Sequence, residues 1–335
     1  MKGISVIVCC YNSVKLLEPT VQHLSKQVVS VGTPWEIIIV DNASTDNTAA
    51  FVQSIWDATG SSVPFNVIFE PNAGLANARI RGINEAKYDY LVFCDDDNWL
   101  EENYIENSFR ILSGNDNIGI CGGTGEPVYE TFRPEWLSDL TLQMGYAVGP
   151  QVADIPEGPV ANNRPYIYGA GMVVRKQLVQ QVYAEFNHSD MLLSGRKGNV
   201  LAAGDDSAIS FFVIMKGYQL WYSSKLKFKH YLTDRRLKKE YTTRMFQGFG
   251  VAAAHLKLYH SFFPNATALK RQLYSYWITQ LLVQVSVLAK TWFFFADKQT
   301  KPFVIQMEWY TLKEILRNRK ALSVKKLLLS EFYLK

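Results

Sequence analysis

Four short apolar runs, separated by stretches of helical periodicity, constrain this chain more than anything else in it. Ile4–Cys10, Glu36–Val40, Phe65–Phe69 and Tyr90–Cys94 are β-branched and nearly continuous in apolar character, the pattern of strands covered on both faces. Between them Leu16/Leu17/Val21/Leu24, Phe51/Val52/Ile55/Trp56 and Leu75/Ala78/Ile83/Ala86 recur at helical spacing, and Ser44-Thr45-Asp46 offers capping residues before the second helix. Strand and helix in strict alternation predict an α/β fold with a mostly parallel sheet flanked by helices. Ligands of such sheets bind beyond the carboxyl ends of the strands.

The 335 residues are enough for about two domains. Charge divides them unevenly: residues 1–224 hold 14 Lys+Arg and 25 Asp+Glu, net −11, whereas residues 225–335 hold 21 and 6, net +15. Gly122–Pro165 reads as a long irregular excursion, Tyr166–Val174 as an apolar run, Asp205–Lys216 as a helix, and Tyr218–Tyr222 and Leu226–Tyr231 as two short strands. Only helical patterns follow, at Leu256–Leu258, Leu269–Ala289 and Phe303–Leu316, broken at Pro264 and Pro302. The expected division is therefore 1–235 and 236–335. Cys9, Cys10, Cys94 and Cys121 form no CxxC or Cys/His metal spacing, and Cys9 and Cys10 would face opposite sides of a strand. With no secretory leader legible at Met1–Cys10, a reducing, cytoplasmic setting is expected.

The sharpest chemical feature is Asp95-Asp96-Asp97, three carboxylates directly off a buried strand. Acids this close repel one another, and a divalent cation with hard oxygen ligands relieves the repulsion, although a solvated acidic turn would read the same. Asp41 leaves the second strand where a carboxylate could accept hydrogen bonds from a base or ribose, or merely begin a turn. Arg79 follows the helix start at Asn72-Ala73-Gly74, placed for a phosphate or base, or for solvent.

In this order the pieces resemble glycosyltransferase family 2, the nucleotide-sugar-dependent transferases of GT-A fold, over roughly residues 3–231. Ile4–Asn12 is similar to the family's first strand and its Thr-Tyr-Asn end, with Cys10 in place of Thr before Tyr11. Asp41–Asp46 is similar to its Asp-Asp-Gly-Ser-Thr-Asp turn, with Asn42 and Ala43 as departures; Asn72–Arg79 matches its Asn-x-Gly-x-x-x-Ala-Arg helix start and Asp95–Asp97 its Asp-x-Asp motif. Gly169-Ala170-Gly171 resembles the acceptor-side glycine loop, and Gly204-Asp205-Asp206 the Gly-Glu-Asp motif whose last acid is the general base.

The resemblance implies an inverting, metal-dependent transfer of a sugar from a nucleoside-diphosphate donor to an acceptor hydroxyl, in cell-surface polysaccharide or lipid-linked glycan synthesis. Asp206 would be the base; Asp97 with His230 would hold Mg²⁺ or Mn²⁺; Cys10, Tyr11, Asp41, Arg79, Asp95, Asp96 and Arg235 would bind the nucleotide sugar; and Gly169, Ala170, Gly171 and Asp205 would meet the acceptor. No Gln/Arg-x-x-Arg-Trp follows, so single transfer is expected over polymerisation. The alternatives are a nucleotidyltransferase, disfavoured because a glycine-rich basic phosphate loop is missing after strand one, and a catalytically inactive glycan-binding protein.

From Tyr276 to Ala296 the tail is long enough to span a bilayer, but Gln284 and Lys290 would then stand in hydrocarbon. An aromatic, basic segment lying in the membrane interface fits the +15 charge better and puts the protein at the inner face of the membrane. A helical cap on the sheet domain, or on a second copy in a homo-oligomer, is the other reading. Nucleic acid is not an expected partner.

Overall fold

The computed structural model describes residues 1–152, 155–160, 166–186, 204–264, 267–273 and 276–333. The alternating first part runs β1 (Ile4–Cys10), α1 (Leu17–Ser25), β2 (Trp35–Asn42), α2 (Thr48–Thr59), β3 (Phe65–Glu70), α3 (Leu75–Glu85) and β4 (Tyr90–Asp95). A second part adds β5 (Asn98–Leu100), α4 (Tyr104–Gly114), β6 (Ile118–Tyr129), α5 (Asp139–Gly145), β7 (Gly149–Pro150), β8 (Glu157–Pro159), β9 (Val173–Arg175), α6 (Lys176–Phe186), α7 (Asp205–Met215) and β10 (Gln219–Leu232). Helices alone follow: α8 (Lys239–Leu256), a 3-10 turn at Lys257–Ser261, α9 (Ala268–Leu273), α10 (Trp277–Phe294), α11 (Lys301–Arg317) and α12 (Arg319–Tyr333).

The strands form one mixed sheet in the order β3-β2-β1-β4-β9-β6-β10-β5, with β7 on β6 and β8 on β10. Residues along a strand alternate between its two faces, so a continuous apolar run feeds two cores. In β1, Ile4, Val6, Val8 and Cys10 enter one core and Ile7 the other; β2 divides Ile37 and Ile39 from Ile38 and Val40 in the same way. The parallel register of β1 sets Cys9 beside Val40 and Asp95, and Cys10 beside Asp41, so three strands end level at one edge. On the far side β5 runs antiparallel to β10 and pairs Asn98 with His230.

Two expectations are corrected. The irregular excursion does not begin at Gly122, because β6 continues as a strand to Tyr129 and α5, β7 and β8 follow it; residues 153–154 and 161–165 lie outside the described part. The glycines that obscure this strand are required by close packing: a side chain at Gly122 would meet Ile167 at 2.5 Å, and one at Gly123 would run into the Leu226 carbonyl. The two short strands after Tyr218 are one, β10, which stays paired with β6 through a register shift between Tyr222 and Lys227.

The C-terminal helices pack on the sheet part. Ala254, Leu258, Tyr259, Phe263, Ile315, Leu322 and Leu329 share a core with Ile7, Leu91 and Phe212. A further core joins Leu142 and Tyr146, at the end of α5, to Tyr241, Met245, Phe246, Phe303 and Val304. No described helix is long and apolar enough to cross a membrane.

Candidate active site

A cavity of about 700 Å³ opens where β1 and β4 end. Its lining includes five carboxylates, Asp95, Asp96, Asp97, Asp205 and Asp206, against two guanidinium groups, Arg79 and Arg236. The geometry of each follows from the strand or helix that delivers it.

Beyond β4 the chain turns through Asp96 and Asp97 and re-enters the sheet as β5. That turn sends the two acids to different partners. Asp96 accepts from the Ser13 hydroxyl, and its backbone carbonyl accepts from Thr20 Oγ1 at 2.8 Å. Burial, with the neighbouring charge of Asp97 added, pushes the Asp96 carboxyl up to about 7. Asp97 accepts from Asn98 Nδ2 at 3.1 Å and from Arg236 Nη1.

His230 completes this cluster, its Nε2 lying 3.5 Å from Asp97 Oδ1 and 3.1 Å from Arg236 Nη1. Its Nδ1 is 2.6 Å from the Tyr146 carbonyl. A carbonyl can only accept, so Nδ1 carries a proton and donates to it, which leaves Nε2 as the ring atom that faces Asp97 and Arg236. Burial works against the charge on Arg236, but Asp97 beside it, together with Tyr241, Tyr146 and Asp95, more than offsets this and holds its pKa above the ordinary value. Asp97 and His230 thus offer one carboxylate and one imidazole nitrogen to a divalent ion, with the guanidinium between them. Among the described residues no three His, Cys, Asp or Glu side chains gather as a metal site. The pair fits a cation whose remaining ligands are substrate phosphate oxygens and water, the usual situation of Mg²⁺ or Mn²⁺.

The ends of β1 and β2 are clamped together. Asn12 and Ala43 both have positive φ, 53° and 56°, and Asn12 Oδ1 accepts from Thr45 N at 2.8 Å while Asn12 N donates to Ser44 Oγ at 3.0 Å. Ala43, the departure from glycine in the turn, therefore holds a conformation glycine adopts more easily. Asn42, the other departure, fixes the next loop: its Oδ1 accepts from Gly74 N at 2.7 Å and its Nδ2 donates to the Asn72 carbonyl at 2.7 Å.

Gly204, with φ of 100°, ends the approach to α7 and takes the N-cap position, so Asp205 and Asp206 fall in the first helical turn, where the helix dipole favours negative charge. Asp206 Oδ1 accepts from Ser207 N at 2.6 Å within that turn, and each acid also reaches outside the helix. Asp205 pairs with buried Arg79, whose guanidinium also lies 5.1 Å from the Phe93 ring centre. Asp206 accepts from Gly169 N at 3.0 Å through Oδ2, and burial together with the Asp205 charge pushes its carboxyl up to about 6. Gly171, with φ of 69°, completes the loop; a side chain there would meet the Tyr104 hydroxyl at 2.6 Å.

Of the residues expected from sequence, Cys10, Tyr11, Arg79, Asp95, Asp96, Asp97, Gly169, Ala170, Asp205, Asp206 and His230 line the one cavity. Three do not. Asp41 is buried beneath it, accepting from Ser44 N at 3.2 Å, and Gly171 is buried behind Ala170 with its carbonyl taken by Tyr104. Arg235 is exposed, and Arg236 enters instead, its N donating to the Thr233 carbonyl at 2.8 Å in the turn and its guanidinium paired with Asp97. Arg79 lines the cavity and pairs there with Asp205. Sequence reasoning missed the opposite lining altogether: Met144 from α5, Phe249, Ala252, Ala253 and Leu256 from α8, and Met307 from α11. The one signal was the density of small residues, Gly248, Gly250 and Ala252–Ala254, which lets α8 and α11 approach so closely that a side chain at Gly250 would strike the Met307 carbonyl.

An α/β sheet with carboxylates at its strand ends and an acid pair opening a helix on the same cavity defines a class of group-transfer proteins, and comparison with known proteins narrows it. The sequence profile of glycosyl transferase family 2 matches residues 5–180, a little over half of the chain, and the chain belongs to that family. Glycosyltransferase GlyG of Streptococcus pneumoniae is 33% identical over 120 residues, 36% of this chain and 38% of that one. Poly-beta-1,6-N-acetyl-D-glucosamine synthase of Staphylococcus epidermidis is 36% identical over 128 residues, 38% of this chain and 29% of that one. The match spans about a third of the length of these curated relatives. Among solved structures, S. aureus TarS 1-349 in complex with UDP-GlcNAc superposes with a TM-score of 0.56 at 14% identity, covering 99% of this chain and 91% of that one. Mannosyltransferase PcManGT from Pyrobaculum calidifontis, in complex with GDP-Man and Mn2+, gives 0.55 at 15%, covering 97% and 86%. At such identities the likeness is one of fold, and the GT-A expectation of a mostly parallel sheet flanked by helices, with a helical extension, is met. A nucleotidyltransferase is set aside by the family match.

Proposed function

We propose that residues 1–235 form the catalytic unit of an inverting glycosyltransferase that uses a nucleoside-diphosphate sugar, with residues 236–335 as an extension that lends it Arg236 and, through its helices, completes its acceptor side. The observation that carries this reading is Asp206: a cavity-lining carboxylate, held by Gly169 N and with its pKa pushed up to about 6, in the same cavity as the Asp95–Asp97, His230 and Arg236 cluster. Support for the donor class comes from the structural neighbours, whose complexes contain UDP-GlcNAc and GDP-Man.

In this mechanism Asp206 takes the proton of the acceptor hydroxyl, whose oxygen forms a bond to the anomeric carbon. The bond from that carbon to the diphosphate breaks on the opposite face, its electron pair leaves with the diphosphate oxygen, and configuration inverts. Arg236 meets the departing charge, and the Asp205–Arg79 pair keeps the first turn of α7 in register beneath Asp206. A Mg²⁺ or Mn²⁺ held by Asp97 and His230 supplies further charge neutralisation when bound. The apolar side made by Phe249, Leu256 and Met307 suits the hydrophobic part of a lipid-linked or surface-glycan acceptor.

A panel of nucleoside-diphosphate sugars, assayed for diphosphate release with and without Mn²⁺, with the product's anomeric configuration read by NMR, tests the proposal. Release from at least one donor with inversion is expected. A retained configuration would remove the base role of Asp206, and binding without release from any donor and acceptor would favour the inactive glycan-binding reading.

A further inference from the structure

Helix α10 is built inside out. Its polar side chains Gln280, Gln284 and Thr291 are buried, whereas Ile278, Leu282, Val285, Trp292, Phe293 and Phe294 are exposed, the last two at 73% and 81%. The inward polarity is a made contact: Gln284 Nε2 donates to the Glu308 carbonyl at 2.9 Å and carboxylate at 2.6 Å, and its Oε1 accepts from Lys257 Nζ. Spacings of four and three from 278 through 282, 285 and 289 to 292 give a stripe along the whole helix. A helix serving only as a cap would turn that stripe inward, since burial of apolar surface is the main gain of packing. The stripe therefore implies a partner.

Charge identifies the partner. Residues 277–330 hold nine Lys+Arg and three Asp+Glu. All three acids are engaged within the protein: Asp297 accepts from Thr300 N at 2.6 Å, Glu308 from Gln284, and Glu314 from Asn318 Nδ2 at 2.6 Å and against His255 Nε2 at 2.8 Å. Lys290, Lys298, Arg317, Arg319 and Lys320 are exposed. Where α10 ends and α11 begins, Trp292, Lys298 and Lys301 share a groove of about 500 Å³, an aromatic ring and two ammonium groups suited to a headgroup phosphate. A second copy would bring the same cations face to face, and repulsion would oppose the contact.

We propose that the exposed face of α10, with the groove at its end, docks on a bilayer containing anionic lipid. The helix lies flat, because buried Gln284 ties it to Glu308 and Lys257 and no described helix is suited to crossing. Docking does not depend on the catalytic reading, since a chain without turnover would dock equally.

The full chain, with no donor or acceptor, is co-sedimented with vesicles of phosphatidylcholine alone and of phosphatidylcholine mixed with phosphatidylglycerol, from low to molar salt. Binding to the mixed vesicles at low salt is expected, falling as the Debye length shrinks from about 10 Å at 0.1 M to about 3 Å at 1 M. Lys290→Ala with Lys298→Ala should weaken it about 25-fold, at about fivefold per cation. Phe293→Ser with Phe294→Ser should abolish it, and because both rings are exposed, thermal denaturation should be unchanged. Equal binding to the two vesicle types at low salt, or full binding by the Phe293/Phe294 variant, would overturn the proposal. So would light scattering in which that variant converts a dimer to a monomer, which would assign the face to a second copy.

Discussion

Two sides of one cavity are made by opposite means. The sheet side is acidic and assembled from strand ends and one helix start, with each polar group held by a named partner: Asp96 by Ser13, Asp97 by Arg236, Asp205 by Arg79, Asp206 by Gly169 N. The helical side, Phe249, Ala252, Ala253, Leu256 and Met307, carries no charge into the cavity although it comes from the strongly basic third of the chain. Among the described residues of the extension, Arg236 at its first position is the one charge that lines the cavity, and it stands on the acidic side paired with Asp97; the helices beyond it supply only shape. The sheet side should therefore govern donor binding and chemistry, and the helical side acceptor fit.

The largest effect is expected from Asp97→Ala. It leaves the buried Arg236 guanidinium without its counter-charge, a change that ordinarily destabilises by about 3–5 kcal/mol, and it removes the proposed metal ligand. Thermal denaturation should show the loss of stability, and calorimetry should show nucleotide binding that no longer responds to Mn²⁺. An undiminished Mn²⁺ response would remove Asp97 from the metal site.

A pH profile follows. Asp206 acts as a base only when ionised, and its carboxyl is pushed up to about 6, so kcat/KM should be flat above that value and fall about tenfold per pH unit below it. A profile flat down to the ordinary carboxylate range would mean that burial does not tune this group.

Ala253→Phe probes the helical side. The residue is half-buried on the cavity, and the added ring should raise the acceptor KM about tenfold, within the 1–3 kcal/mol that apolar pocket contacts command. Donor affinity should not move; if it fell equally, the division between the two sides would be lost.

The smallest effect is Ala43→Gly. With φ of 56° at Ala43, glycine should relieve a left-handed strain of about 1 kcal/mol, read as a modest rise in melting temperature. No rise would mean that the clamp from Asn12 to Thr45 carries no strain.

What was legible in the sequence follows the same division. Continuous β-branched runs announced β1 to β4, and three acids off a buried strand are unusual enough to mark a site. Arg235 and Arg236 could not be told apart by sequence, because which of two adjacent arginines enters depends on the turn at Thr233–Leu237 and on the Asp97 pairing, neither of which a sequence pattern marks. Strand β6 was hidden by glycines that exist to let Ile167 and Leu226 pack against it. Nor does any motif mark Ala252, Ala253 or Met307, since small and apolar residues on a helix look alike whether they face a core or a ligand.

The central claim, that Asp206 serves the chemistry and not the binding, is tested most directly by Asp206→Asn. Asparagine keeps one oxygen to accept from Gly169 N and gives up the bond from Ser207 N, an N–H of the first helical turn, so the loop should survive. Donor affinity measured by calorimetry should stay within about twofold while single-turnover transfer falls by about 10²-fold or more. Affinity and turnover falling together, or turnover left intact, would contradict the account.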